Sequence, residues 1–155
     1  MNRLEQEVNG ALERLGKGDT TLRPFQWTCI EAVVECKRVI ASLCTGGGKT
    51  LIFTLSSLIL PVLKDASSQV ALVVTPFRSL ISQQLQELPS NMAESLDKER
   101  HTVQGVMQSR DLRLIYTCPE TLCENEDLYL HLSLFISLSL SSSLSLLLSF
   151  SLSLS

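Results

Sequence analysis

Leu43-Cys44-Thr45-Gly46-Gly47-Gly48-Lys49-Thr50 separates a short apolar run, Val39-Ile40-Ala41-Ser42-Leu43, from a helical one that runs from Thr50 to Leu63. A glycine-rich turn that follows a strand and ends in Gly-Lys-Thr at a helix start has the layout of a phosphate-binding loop. The residue types follow from that chemistry. Glycines let successive backbone N–H groups turn inward on anionic oxygens, and the helix N-terminus adds partial positive charge. Lys49 would reach the outer phosphates of a nucleotide, and the Thr50 hydroxyl would ligate Mg²⁺. The strict Gly-x-x-x-x-Gly-Lys-Ser/Thr pattern is not met, because Leu43 stands where its first glycine would be.

Working outward, further apolar runs alternate with helical stretches: VALVVT, then RSLISQQLQEL, then LRLIYT. Strand, helix, strand, helix, strand is the pattern of an α/β fold with a parallel sheet, and continuously apolar runs suit strands covered on both faces. Upstream, NRLEQEVNGALERL puts Leu4, Val8, Ala11, Leu12 and Leu15 at helical spacing, predicting an amphipathic helix over 2–15. A Gly/Asp/Thr loop follows. PFQWTCIEAVVECK then reads as a second helix from Pro24, where a first-turn proline costs little. The polar stretch from Pro89 to Arg110 predicts a surface helix and loops.

The chain has 155 residues and a net charge of -3, enough for one domain with a hydrophobic core and too few for a two-domain motor. Nothing in that balance announces a nucleic-acid or membrane surface, so any contact with either must be local. Five cysteines, an odd number without a Cys-x-x-Cys pair, suggest reduced thiols rather than a disulfide framework or a zinc site. The acidic N-terminus lacks the layout of a signal peptide. From Leu132 to Ser155 the chain holds 10 Leu, 11 Ser, Phe135, Ile136 and Phe150 and no charge, which is low-complexity sequence. A membrane span, a period-2 strand and a translated CT repeat all fit it. The last is preferred, because CTC-TCT encodes Leu-Ser and nothing in the sequence provides a partner sheet for a strand.

Four segments in order resemble the first motifs of RecQ-like superfamily 2 helicases. The loop Thr45 to Thr50 resembles the Thr-Gly-Gly-Gly-Lys-Ser/Thr form in which an apolar residue such as Leu43 is normal. Leu22-Arg23-Pro24-Phe25-Gln26 resembles motif 0, whose glutamine reads the adenine edge. Val73 to Gln84 (VVTPFRSLISQQ) resembles motif Ia, and Tyr116-Thr117-Cys118-Pro119-Glu120-Thr121-Leu122 resembles motif Ib. Taken singly, Gln26 would be a solvated helix residue, Arg78 a surface charge, and Pro119-Glu120 a helix start.

The resemblance covers residues 10 to 125. It implies a partial RecA-like α/β domain over 22–127, preceded by a helix and loop over 1–21 and followed by the Leu/Ser tail over 128–155. It also implies ATP and Mg²⁺ as cofactors. Lys49 and Thr50 would be catalytic, Arg23, Gln26, Thr45, Gly46, Gly47, Gly48, Lys49 and Thr50 would hold the nucleotide, and Thr50 would hold the metal. Thr75, Pro76, Arg78, Ser79, Pro119 and Glu120 would contact single-stranded DNA, weakly in this fragment. The location implied is nuclear and no membrane is expected. Where the family places an aromatic-Gly-aromatic cluster, this chain has Leu15-Gly16-Lys17-Gly18, and where motif II is expected it has the tail. The family's activity is ATP-driven 3′-to-5′ unwinding of DNA; without the motif II carboxylates and a second RecA-like domain, the chain is expected to bind nucleotide without unwinding. Another phosphate-loop protein, such as a kinase or GTPase, and a non-enzymatic remnant with a membrane-associated tail remain as alternatives.

Overall fold

The computed structural model describes residues 2–44, 46–65, 70–96 and 111–124, together with the backbone of 148–150. Two compact units divide the chain, Met1–Gln69 and Val70–Ser155.

The first unit is helical. Helix α1 (Arg3–Arg14) opens with a capping box: the Asn2 side chain accepts from the Leu4 N–H, and the Glu5 carboxylate accepts from the Asn2 N–H at 2.8 Å. Its buried stripe is Val8, Ala11 and Leu12, the centre of the predicted apolar face. Helices α1 and α2 (Pro24–Val34) both pack on α3 (Lys49–Leu63). Every residue of α3 from Ile52 to Pro61 is buried, which accounts for its nearly unbroken apolar sequence.

Residues 37–44 form no strand, contrary to the strand expected at Val39–Leu43. A strand needs a ladder to satisfy its N–H and C=O groups, and among the described residues of the first unit no other strand supplies one. Ile40 is accordingly 98% exposed.

The second unit carries four strands, β1 (Ala71–Val74), β2 (Ala93–Ser95), β3 (Leu114–Thr117) and β4 (Leu148–Phe150), in a sheet of order β2-β3-β1-β4 with every pair parallel. Strand β1 (Ala71–Val74) lies beside β3 (Leu114–Thr117), with Val73 opposite Tyr116. Both are buried along their whole length, as their continuous apolar sequences predict. Leu72, Val74, Leu96, Leu112 and Ile115 form one core cluster, with Val70 and Leu122 against it. Helix α4 (Arg78–Glu87) packs on β2 and β3 and buries Ile81 and Gln84. A short helix, α5 (Pro119–Glu124), follows β3.

Strand β2 (Ala93–Ser95) lies within the stretch expected to be a surface helix and loops. Its Ala-Glu-Ser sequence carries no β signal. It is a strand because β3 offers it a free parallel edge, with Ala93 opposite Leu114 and Ser95 opposite Tyr116. On the other side, β4 (Leu148–Phe150) pairs with β1, Leu72 opposite Leu148. The partner that the sequence did not reveal for a Leu/Ser strand is thus β1. The rest of the tail lies outside the described residues.

Tyr116, fully buried in β3, sets a pH limit on this unit. Burial raises the pKa of its hydroxyl well above the ordinary tyrosine value, and the negative charge of Glu87 pushes the same way. The unfolded chain loses this proton near pH 10 while the folded chain keeps it, so the folded state binds more protons above that pH. Stability should be fully present below about pH 10 and then fall by about 1.4 kcal/mol per pH unit as pH rises toward the folded value. Urea midpoints from about pH 9 to about pH 11, with Tyr116→Phe in parallel, measure this. The variant should lose that part of the slope, and identical slopes would rule the assignment out.

Candidate nucleotide and nucleic-acid sites

Arg23 opens α2 as its N-cap, but an arginine side chain has no acceptor with which to cap a helix. The helix is instead capped from Gln26, whose Oε1 accepts the Arg23 N–H at 2.9 Å. The other end of the same amide, Nε2, donates to the Gly48 carbonyl at 3.3 Å. Gln26 is only 4% exposed, so it ties the first turn of α2 to the residue that opens α3. A carboxamide provides a donor and an acceptor in one plane, which suits this double role.

Gly48 is the N-cap of α3 in the left-handed region, at φ 82° and ψ 25°. A Cβ there would be driven into Gln26 Nε2. At Gly47 a Cβ would come within 2.9 Å of the Cys44 carbonyl oxygen, so the loop turns on itself too tightly for a side chain. Gly46 is also left-handed, at φ 75°, yet faces open space. Lys49 begins α3, and its ammonium donates to the Leu43 carbonyl at 2.7 Å and the Cys44 carbonyl at 3.3 Å. Its positive charge is thus held against the residues where the loop begins. Thr50 follows on the first turn. Thr45, also expected at this site, lies outside the described residues.

In the second unit, β1 runs into α4 through Thr75, Pro76 and Phe77. Pro76, Arg78 and Ser79 are exposed. Thr75 is not: at 1% exposure its hydroxyl is buried without a hydrogen-bond partner among the described residues, so its side chain does not reach the surface. Pro119 and the exposed Glu120 start α5, with Glu120 as a first-turn carboxylate. Arg78 Nη2 reaches the buried Cys118 Sγ at 3.9 Å, and the same sulfur lies 3.0 Å from Thr121 Oγ1. Cys118 therefore joins the two segments expected to contact nucleic acid, a link that no spacing rule announces.

Gln26, whose side chain the resemblance assigns to the adenine edge, thus has a structural role as well. A signal was available, because a glutamine three residues into a helix is half of a capping box. The acceptors of Lys49 are backbone carbonyls and leave no such trace. Among the described residues no cluster of three or more His, Cys, Asp or Glu could hold a metal by itself, and no helix is long and apolar enough to cross a membrane.

Residues 23–143 match the DEAD/DEAH box helicase family. Among individual proteins, the chain is similar to "Putative ATP-dependent DNA helicase Q1" of Caenorhabditis briggsae, 30% identical over 113 residues. The protein of the same name in Caenorhabditis elegans is 30% identical over 115 residues. These alignments cover 67% and 68% of this chain but 17% of each relative. "ATP-dependent DNA helicase Q4" of Mus musculus is 30% identical over 122 residues, covering 75% of this chain and 10% of that protein. The chain thus spans less than a fifth of the length of these relatives.

Proposed function

We propose, since the chain belongs to the DEAD/DEAH box helicase family, that residues 22–127 are the ATP-binding and nucleic-acid-binding portion of a RecQ-like 3′-to-5′ DNA helicase, acting in the nucleus. The observation that carries this reading is the Gln26–Gly48 hydrogen bond, which joins an amide suited to an adenine edge directly to the phosphate loop. A generic phosphate loop has no need of such a side chain.

In this reading the backbone N–H groups of Gly46 and Gly48 meet the phosphates, the Gly47 N–H turns to them from the Cys44 carbonyl to which it donates at 3.0 Å, and Lys49 shifts its ammonium from the Leu43 and Cys44 carbonyls toward them. Gln26 keeps one N–H and one lone pair beyond the two bonds it makes within the chain, enough for a donor–acceptor pair on adenine. Thr50 offers Mg²⁺ one hydroxyl. One hydroxyl suits an ion whose other ligands are nucleotide phosphates and water. Mg²⁺ supplies charge neutralisation on the phosphates when bound. Arg78 and Ser79, exposed at the start of α4, would meet the DNA backbone through a cation and helix N–H groups.

The test compares nucleotides. Mg-ATP should raise the thermal midpoint of the 155-residue chain more than Mg-GTP at the same concentration, and equal shifts would favour a phosphate-loop protein of another class. Turnover is a separate matter, because residues 128–155 contain no Asp or Glu to hold Mg²⁺ opposite Thr50 or to orient water. The purified 155-residue polypeptide is expected to bind without Lys49-dependent hydrolysis near the order of 1 per second. An ATPase assay with single-stranded DNA, with Lys49→Ala as contamination control, checks this.

A further inference from the structure

Phe77 is at odds with its position. It is the N-cap of α4, a place that favours Ser, Thr, Asp or Asn, and the helix has no side-chain cap there. Its side chain is 46% exposed, and it is the only aromatic among the large hydrophobic residues exposed in the described part of the chain. Its backbone, by contrast, is fixed. The Phe77 carbonyl accepts from the Leu80 N–H at 3.0 Å and the Ile81 N–H at 3.2 Å, and Pro76 restricts the chain just before it. A ring is thus held out from a rigid strand-to-helix corner, next in sequence to the Arg78 guanidinium and the exposed Ser79.

We infer that Phe77 is a stacking platform for one base of a single-stranded nucleic acid whose phosphate meets Arg78. This rests on the nucleic-acid reading above and adds to it a contact with the base rather than the backbone. The surroundings favour a base over a protein partner. The other two exposed large hydrophobics, Ile40 and Val62, belong to the first unit, so Phe77 stands alone in the described part of its own. A protein contact of useful strength needs a contiguous apolar core. One planar ring beside one cation matches one base and its phosphate, and every base presents a π-face.

The experiment measures binding of the full 155-residue chain, by fluorescence anisotropy at low salt, to a short oligothymidine and to an abasic strand of equal length. Phe77→Ala should weaken oligothymidine binding roughly tenfold, the scale of one base stack, and leave the abasic strand unaffected. Phe77→Trp should retain binding. Arg78→Ala should weaken both strands and flatten the salt dependence. Unchanged thermal midpoints of the Phe77 variants exclude misfolding. Equal affinity of the wild type for the two strands, or an equal effect of Phe77→Ala on both, overturns the stacking role while leaving the backbone contact standing. Failure of the wild type to bind either strand overturns the nucleic-acid reading itself, and Phe77 with it.

Discussion

Lys49→Ala should abolish nearly all stabilisation of the chain by Mg-ATP. Nucleotide at a hundred times its Kd stabilises a folded protein by about 2.7 kcal/mol. For a chain of this size, that corresponds to roughly 5 to 11 °C in thermal midpoint. Removing the ammonium removes charge-assisted hydrogen bonds to phosphate worth about 3 kcal/mol, roughly a hundredfold in Kd. At the same nucleotide concentration the variant should then gain only about 0.4 kcal/mol, or about 1 °C. Its nucleotide-free midpoint should move little, because the Leu43 and Cys44 carbonyls that Lys49 releases lie at a partly exposed site where water can replace it. Differential scanning fluorimetry of both proteins, with and without Mg-ATP, gives all four numbers. Equal nucleotide shifts in the two would remove the loop from the binding site.

Gly48→Ala should be far more damaging than Gly46→Ala, although both glycines are left-handed. Forcing alanine into that region costs about 1 kcal/mol at either position. At Gly46 nothing lies within reach of the new methyl group. At Gly48 the methyl displaces Gln26, with loss of its bond to the Gly48 carbonyl and of its cap on the Arg23 N–H, about 1 kcal/mol each. The expected costs are roughly 3 and 1 kcal/mol, or about 6 to 12 °C against about 2 to 4 °C in thermal midpoint. Gly48→Ala combined with Gln26→Ala should be no worse than Gly48→Ala alone, because the clash and the bonds vanish together. Matching midpoints for the two glycine variants, or single effects that simply add, would show that Gln26 does not clamp the loop.

The elements that announced themselves in the sequence are those whose burial alone fixes them. α1 was legible from Leu4, Val8, Ala11 and Leu12, and α3 from its apolar run. β1 and β3 were legible because strands covered on both faces cannot avoid long apolar stretches. The tight turn at Gly46, Gly47 and Gly48 was legible because left-handed and closely folded backbone tolerates little besides glycine. Local chemistry specifies each of these without reference to the rest of the chain.

The elements misread are those that depend on a neighbour. Val39–Leu43 has the composition of a strand and forms none, for want of a ladder among the described residues of its unit. Ala93–Ser95 lacks that composition and is a strand, because the edge of β3 is open to it. Gln26 could be assigned a chemistry from its side chain, but the two bonds its amide makes within the chain are set by where Arg23 and Gly48 lie in space. The Arg78–Cys118 contact likewise joins residues 40 positions apart that no local rule relates. The sequence alone determined the amphipathic faces, the buried parallel strands and the glycine turn, since these follow from backbone sterics and from burial of apolar side chains. Only the tertiary structure decided which strands find partners and which polar side chains are spent inside the chain, since hydrogen bonds are satisfied between neighbours in space.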